Sequence, residues 1–329
     1  MVSRGFLWAK VKLTPATGLF VYDEESQFCY FNPHSFELSE KYYLVGVLLG
    51  LAIYNSTILD VALPPFTFKK LLSSGPAGAS QGQAPFNRST IQYTLDDLAE
   101  LHPSLAQGLK RLLEYDGNVE DLGLDNVAVI DIYDIKQEVV LASDGVRKPI
   151  TNENRQDFVN SYVRYLLDTQ VSKQFEPFKR GFFTVCGGNA LSLFQPEEIE
   201  LLVRGSDEPL DVSALKAVAV YENWRRQDKD ILEPLNEVVH IQWFWEFFEQ
   251  ADPQAQRRIL GFITGSDRIP AMGVASLVIK IVFAGKDYRR FPIARTCFNQ
   301  LMLFKYRSRE ELREKVWRAV TDSEGFGLK

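Results

Sequence analysis

The chain has 329 residues, a formal net charge of −6 at pH 7, and contents of 46% hydrophobic and 12% aromatic residues. Domains typically hold ~100–200 residues, so this length fits one large or two medium-sized domains. The aromatic content excludes global disorder, and the net negative charge argues against nucleic-acid binding by the chain as a whole. The 3 cysteines are too few for a disulfide framework, which predicts a reducing compartment, the cytoplasm or the nucleus.

The first part of the chain combines a short β-rich segment with helices. Residues 22–33 predict a strand or hairpin that ends at a proline turn. The apolar run at 42–53 is shorter than the ~20 residues that cross a bilayer, so it predicts a buried helix and no membrane insertion. A helical stretch at 66–72 follows, and the Gly- and Pro-rich residues 73–85 predict a flexible surface loop.

The middle of the chain continues this mixed pattern. Leucines at three- and four-residue steps predict one helix over 95–113. Residues 127–135 are typical of a strand, and a helix is expected from Thr151 or Asn152 through residue 168. The segment 181–185 is short and β-prone, whereas 196–205 has a proline, glutamates and a terminal glycine in the order expected of a helix.

A charged segment broken by a proline, residues 222–238, predicts a hinge between two bodies. Residues 239–329 then alternate helices and strands: two helices, a strand, a loop, a strand and a final helix. The predicted fold class is α+β, with a mostly helical larger lobe at 1–221 and a small α/β lobe at 239–329.

The sequence contains none of the common metal-binding or nucleotide-binding motifs. The chain has no CxxC and no HExxH, and its histidines, at 34, 102 and 240, are far apart. It also has no Walker loop and no GxGxxG motif. We therefore expect no metal and no cofactor.

The cysteines are the remaining candidates. Cys29 and Cys186 are typical of half-buried strand positions, whereas Cys297 follows a proline-containing loop at the start of a predicted strand. Residues 286–318 contain ten Lys or Arg and four Asp or Glu. Positive charge near a thiol favours the thiolate, which is the nucleophilic form. A solvated basic face beside a core cysteine explains the pattern as well, so the residues alone leave both interpretations open.

Residues 291–329, FPIARTCFNQLMLFKYRSREELREKVWRAVTDSEGFGLK, resemble the C-terminal lobe of HECT-type ubiquitin ligases. The shared pattern is a proline loop, then T-C-F-N-x-L, a tyrosine, an amphipathic helix and a tail that ends near G-F-G. Upstream segments such as EYDGNVED, PITNENRQDFV, FQPEEIELLVRG and FITGSDRIP also resemble the family. The resemblance covers residues 18–329.

The resemblance implies a bilobal fold and a two-step ubiquitin transfer. Cys297 would accept ubiquitin from a conjugating enzyme as a thioester and pass it to a lysine of a protein substrate. Neither a metal nor a cofactor is needed. The implied partners are ubiquitin, a ubiquitin-conjugating enzyme and a protein substrate, with no nucleic acid and no membrane insertion.

The resemblance also implies roles for particular residues. Thr296 and Arg295 would support Cys297, and Phe326 matches the tail phenylalanine that helps to place the lobes for transfer. Both Leu105 and Leu109 share their apolar helix face with ordinary core leucines, so plain core packing stays open for them. The residues that would bind the conjugating enzyme are Leu105, Leu109, Asp121, Leu122, Leu124 and Phe158.

The sequence departs from the family pattern at two places. Arg295 stands where many relatives have histidine, so it keeps a positive charge but cannot act as a neutral base. Residues 1–17 lack the opening segment of the family. This departure favours an alternative, a catalytically impaired HECT-like module that binds ubiquitin or its conjugating enzyme. A cysteine hydrolase is a further alternative, and it requires a histidine within hydrogen-bond reach of Cys297.

Overall fold

The structure is a computed structural model that describes residues 18–55, 57–59, 61–74, 91–132, 135–142, 144–187, 191, 193–224 and 239–326. The chain divides into two compact units. The N-terminal unit holds the described residues of 18–55 and 61–200, and the C-terminal unit holds 57–59 together with those of 201–326. No helix in the described part of the chain is both long and apolar enough to span a membrane.

The N-terminal unit begins with the predicted hairpin. Strands β1 (Phe20–Tyr22) and β2 (Cys29–Phe31) pair antiparallel, with Phe20 opposite Phe31. The apolar run forms helix α1 (Ser39–Tyr54), which is followed by α2 (Pro65–Ser74). Both helix predictions are confirmed in this part of the chain, because aromatic and aliphatic side chains of the hairpin and the helices share one core.

Helix α1 packs closely against helix α6 (Ser172–Val185), which the sequence analysis assigned in part to a strand. An ideal Cβ on Gly181 would lie 1.9 Å from the Tyr43 carbonyl oxygen, and one on Gly46 would lie 2.0 Å from the Phe178 carbonyl oxygen. Glycine therefore lets the two helix backbones touch. The β-prone interpretation of 181–185 is wrong, because packing on α1 overrides the weak strand propensity of these residues.

The leucine-rich segment forms two helices rather than the single helix predicted over 95–113. Helix α3 (Leu95–Leu101) begins with a capping box between Thr94 and Asp97. Helix α4 (Pro103–Glu114) begins at a proline. Proline lacks the N–H that would continue α3 and disfavours a helical conformation at His102, so the helix is interrupted there.

Residues 127–135 are not one strand but belong to a hairpin. Strand β3 (Val127–Ile132) pairs antiparallel with β4 (Ile135–Val140). The expected helix follows as α5 (Arg155–Leu167), and its N-terminal turn is bracketed by hydrogen bonds between Thr151 and Asn154. Helix α7 (Pro196–Arg204) also agrees with its prediction, and the boundary between the two compact units falls within it.

The C-terminal unit starts before the predicted hinge. Helix α8 (Val212–Val218) and strand β5 (Val220–Glu222) belong to this unit, and β5 pairs in parallel with a strand of the small α/β lobe. The predicted lobe 1–221 thus includes residues 201–221, which belong to the C-terminal unit. The backbone of β5 is hydrogen-bonded into the sheet of that unit. Of the predicted hinge, residues 225–238 lie outside the described residues, as do 1–17 and 75–85.

Strands β6 (Lys280–Gly285), β7 (Ile293–Arg295) and β8 (Gln300–Phe304) join β5 in a four-stranded sheet at the centre of the C-terminal unit, in the order β5-β6-β8-β7. Strands β5, β6 and β8 run parallel and β7 runs antiparallel to β8. Buried aromatic side chains of the helices, including Trp245 and Phe248, pack against the sheet. The mixture of helices and sheets confirms the α+β class. The helices of this unit that follow α8 are α9 (Val239–Gln250), α10 (Pro253–Thr264) and α11 (Arg309–Phe326).

Candidate active site

Cys297 lies on the surface of the C-terminal unit. It is the middle residue of a 3-10 turn, Thr296–Phe298, that joins the paired strands β7 and β8. Its side chain is exposed, whereas Cys29 is buried and Cys186 is half-buried. The expectation that Cys297 starts a strand is therefore replaced by a turn before β8. This position leaves the thiol accessible to another macromolecule.

The other cysteines have structural surroundings. Cys29 lies in the core strand β2, as expected of a small hydrophobic residue. Cys186 ends helix α6 rather than lying in a strand, and its Sγ is 3.5 Å from the carbonyl oxygen of Gly50. Burial raises the pKa of the Cys186 thiol, which disfavours the thiolate.

Asn299 shapes the turn from its C-terminal side. Its backbone is left-handed, with φ of 47°, a conformation that asparagine tolerates better than most residues. The Asn299 N–H donates to the carbonyl of Thr296 at 3.1 Å, and the Asn299 carbonyl accepts from Lys280 at 2.8 Å. The turn is thereby tied to the first residue of β6.

Gly265 supports the turn from the end of helix α10. It adopts φ of +85°, and an ideal Cβ at this position would lie 3.3 Å from the Cβ of Thr296. The Oγ1 of the adjacent Thr264 lies 2.9 Å and 2.7 Å from the carbonyl oxygens of Leu260 and Ser266, which share its one proton, and this fixes the helix end. Helix α10 thus approaches the turn at Thr296, whose role in supporting Cys297 stays a prediction.

Arg295 and Phe298 lie close to Cys297 along the chain. Arg295 is exposed at the end of β7, immediately before the turn. Phe298, which was not predicted, follows Cys297 and is 64% exposed. An apolar side chain beside the thiol is a typical feature of contact surfaces. Phe326 is the last described residue of α11, and its side chain lies outside the described part of the structure.

The histidines do not form a catalytic or metal cluster among the described residues. In the C-terminal unit, the Nε2 of His240 lies 2.9 Å from the carbonyl oxygen of Tyr306. Burial lowers the pKa of His240, so its neutral form is favoured. His34 and His102 belong to the N-terminal unit, where Nδ1 of His102 is 3.0 Å from the Asp23 carboxylate. The part of the chain that the structure describes holds no group of side chains suited to a metal ion.

Three of the predicted conjugating-enzyme residues line one groove in the N-terminal unit. Leu109, Leu124 and Phe158 contribute to this groove of about 380 Å³. Tyr162 lies beside Phe158, with ring centroids 5.7 Å apart. Helix α4, helix α5 and the β3 strand supply the walls. Other lining residues are Gly108, Leu112, Gly123, Asp125, Val127, Val129 and Arg147.

The remaining three predicted residues lie apart from this groove. Leu105 lines a neighbouring cleft of about 620 Å³. Leu122 is 44% exposed, and the exposed Asp121 carboxylate accepts a hydrogen bond from Asn118 at 3.2 Å. Sequence reasoning missed Tyr162 as a groove residue. Its four-residue spacing from Phe158 placed both on one helix face, which was the available signal.

Comparison with known proteins connects this architecture to a family. The sequence profile of the HECT-domain (ubiquitin-transferase) family matches residues 7–329. The chain is similar to the mouse protein "Probable E3 ubiquitin-protein ligase HECTD2", with 38% identity over 318 residues, 95% of this chain and 39% of the mouse protein.

Two other relatives are similarly close. The chain is 37% identical over 335 residues to "Probable E3 ubiquitin-protein ligase mug30" of Schizosaccharomyces pombe, 96% of this chain and 39% of that protein. It is 35% identical over 320 residues to human "Probable E3 ubiquitin-protein ligase HERC4", 96% of this chain and 28% of that protein. The chain thus spans less than half the length of these relatives. With a profile match over nearly its whole length, the chain belongs to the HECT-domain family of ubiquitin-transferases.

Proposed function

We propose that this chain accepts ubiquitin from a conjugating enzyme as a thioester on Cys297 and passes it to a lysine of a protein substrate. The observation that carries the proposal is the exposed thiol on the turn between β7 and β8, in a chain of the HECT-domain family. Glycine and asparagine hold this turn in place. A nucleophile that must reach a thioester on another protein has to be both accessible and fixed.

The reaction consists of two acyl transfers. The Cys297 thiolate attacks the carbonyl carbon that joins ubiquitin to the cysteine of the conjugating enzyme, and that cysteine leaves as a thiolate. A neutral lysine amine then attacks the new thioester. The isopeptide bond forms, the amine loses a proton, and Cys297 leaves as a thiolate. One thioester replaces another in the first step, so neither redox chemistry nor a metal is required.

The groove of Leu109, Leu124 and Phe158 fits the role of a docking site for the conjugating enzyme. Its floor is apolar, and Leu124 is 41% exposed, so a partner side chain would remove apolar surface from water. Arg147, at the rim, pairs with Asp125 at 2.6 Å and with Glu138 at 2.6 Å. An apolar centre with a charged rim is the usual composition of a protein interface.

The first experiment tests the nucleophile. The purified chain is mixed with ubiquitin, activating enzyme, ATP and a panel of conjugating enzymes, and the products are separated on a non-reducing gel. We expect a ubiquitin adduct that thiol reductant removes and that Cys297→Ala lacks, whereas Cys186→Ala retains it. No adduct from a chain shown to be folded would contradict the proposal and favour a binding module without transfer.

The second experiment tests the groove. Leu124→Ala removes apolar surface from the groove, whereas Leu44→Ala removes a leucine of similar exposure from α1 in the same unit. We expect Leu124→Ala to weaken the binding of the conjugating enzyme about three- to tenfold, because Leu124 is 41% exposed and can gain only part of the ~1.5–3 kcal/mol that full burial of a leucine is worth. Leu44→Ala should bind like the parent chain. Equal affinities of the two variants would contradict docking at this groove.

A further inference from the structure

A cluster of basic side chains surrounds two aromatic rings on the C-terminal unit. The guanidinium carbons of Arg307 and Arg289 lie 3.3 Å and 5.8 Å from the ring centroid of Tyr288. The ammonium of Lys315 and the guanidinium of Arg318 lie 5.3 Å and 5.6 Å from that of Phe291. We call these six residues the basic surface.

The backbone of this surface is well fixed. The Lys315 ammonium donates to the carbonyls of Tyr288 and Arg289 at 2.7 Å and 2.8 Å, which ties helix α11 to the loop before β7. The hydroxyl of Tyr306 donates to the carbonyl of Arg290 at 3.2 Å. The charges are therefore presented by an ordered loop and a helix rather than by a tail.

Positive charge on this surface is only partly neutralised within the chain. Among the described carboxylates, none forms an ion pair with Arg289 or Arg307, and Arg318 has a single pair with Asp322 at 3.6 Å. The Glu311 carboxylate accepts a hydrogen bond from the Arg307 N–H at 2.8 Å, but residues 286–318 as a whole hold ten Lys or Arg and four Asp or Glu, in a chain with a net charge of −6. The positive potential is thus a local feature and not a general property of the chain.

The basic surface and Cys297 belong to the same unit and are close along the chain. Phe291 precedes Cys297 by six residues, which span at most ~20 Å. We propose that the basic surface binds an acidic segment of the protein substrate and thereby brings a nearby lysine to the ubiquitin thioester. This inference rests on the proposed function for the transfer step.

An acidic peptide fits this surface better than an anionic membrane. Three of its four cations are arginines, whose guanidinium forks match carboxylates in a bidentate geometry. Arginines stacked on Tyr288 have less side-chain freedom to lose on binding. The net negative charge of the whole chain, in contrast, opposes its approach to an anionic bilayer.

Two peptides test the proposal, each with one lysine and a spacer of about six residues, a length that matches the ~20 Å reach. One ends in a run of glutamates and the other in a run of glutamines. Binding is measured by fluorescence anisotropy on the Cys297→Ala chain, so it does not depend on transfer. Discharge of the ubiquitin thioester to each peptide is then measured as KM and kcat.

The double variant Arg289→Gln and Arg307→Gln removes two charges from the basic surface. Its control, Lys216→Gln and Lys280→Gln, removes two charges elsewhere on the same unit, where each lysine pairs with a glutamate. We expect the glutamate peptide to bind the parent and the control alike, and about five- to tenfold more weakly to the arginine variant. In the arginine variant, the KM for discharge to the glutamate peptide should rise by the same factor, with kcat unchanged. Added salt should reduce the difference in affinity between the parent and the arginine variant.

The outcomes separate this inference from the proposed function. If the glutamate peptide binds in an arginine-dependent way but no thioester forms on Cys297, the role of the basic surface in peptide binding is supported and the proposed ubiquitin transfer is contradicted. A normal thioester with equal binding and equal KM for both peptides would overturn the surface. Arginine-dependent binding to phosphatidylserine vesicles, with no preference between the peptides, would overturn it in favour of a membrane.

Discussion

Gly181 and Gly265 both occupy positions that other residues fit poorly, but for different reasons. Gly181 lies within helix α6, where the missing side chain lets the backbones of α6 and α1 touch. Gly265 ends helix α10 in a left-handed conformation and lies against Thr296, next to Cys297. The first glycine brings two helices together, and the second positions a turn.

This contrast indicates different tolerances in the two units. At Gly181, the backbone of α1 leaves no space for a side chain, and this backbone cannot move without separating the two helices. Around Gly265, the neighbour is one side chain of an otherwise exposed turn. We therefore expect substitutions near Gly181 to affect mainly folding and those near Gly265 to affect mainly transfer.

The largest expected effect is that of Gly181→Ala on stability. Its Cβ would clash with the Tyr43 carbonyl, so we expect the free energy of unfolding to fall by about 3 kcal/mol or more. Urea denaturation followed by far-UV circular dichroism measures the change.

Gly108→Ala is the matched control, because Gly108 also lies in a helix of the N-terminal unit but has nothing within 4 Å of an added Cβ. Alanine there should raise the free energy of unfolding by ~0.5–1 kcal/mol, since it reduces the conformational entropy of the unfolded chain. Similar losses in both variants would show that helical glycine, rather than the contact between α1 and α6, explains the effect.

Gly265→Ala should have a smaller effect on stability and a larger effect on transfer. The left-handed backbone costs an alanine ~1–2 kcal/mol, and the new Cβ would press on Thr296. We expect the rate of thioester formation at Cys297 to fall about tenfold, because small displacements of a nucleophile are costly. The rate is measured in single-turnover assays with a charged conjugating enzyme.

Gly273→Ala distinguishes the effect of backbone strain at a positive φ from the effect of pushing Thr296 out of place. Gly273 has φ of +82° in the same unit, but nothing lies within 4 Å of its added Cβ. With ψ of 172°, Gly273 lies in a region that only glycine adopts readily, so this variant should lose at least as much stability and still keep the parent rate. An equal loss of rate in both variants would mean that general destabilisation, and not the contact with Thr296, slows the reaction.

The smallest expected effect is a pH dependence of stability through His240. Burial beside Trp224 and Trp243, together with Lys305, lowers the pKa of His240, while its hydrogen bond to Tyr306 opposes that shift. The unfolded chain therefore binds a proton first, near pH ~6.5, and the stabilisation present above that pH is lost as the pH falls further. His240→Gln, which can still donate to Tyr306, should flatten this dependence.

Tryptophan fluorescence suits this measurement, because all the tryptophans that the structure describes, at 224, 243, 245 and 317, lie in the C-terminal unit. Urea midpoints are compared between pH 7.5 and 5.5 for the parent and the variant. If the midpoint of His240→Gln changes between the two pH values as much as that of the parent, the pH dependence belongs to another group.

Local sequence patterns predicted the elements that depend on local contacts. The hairpin at 22–33, helices α1 and α7 and the α+β class were accessible because apolar periodicity and turn residues determine them. The family resemblance at Thr296, Cys297, Phe298 and Asn299 predicted Cys297 as the candidate nucleophile. The structure then showed that this thiol is exposed.

Tertiary contacts explain what the patterns missed. Residues 181–185 have strand propensity, yet packing on α1 makes them helical. Strand β7 has only three residues and carries little periodic signal. The basic surface was visible as a count of charges, but its arrangement around Tyr288 depends on the contact between helix α11 and the loop before β7.

The most direct test of the central claim locates ubiquitin on the chain. Cys297→Ser replaces the thioester by an oxygen ester that reductant does not cleave, so the adduct can be isolated, digested and mapped by mass spectrometry. We predict that the ubiquitin carboxyl terminus is attached at position 297 and that hydroxide releases it. Attachment at Cys29, at Cys186 or only at lysines would contradict the assignment of Cys297 as the nucleophile.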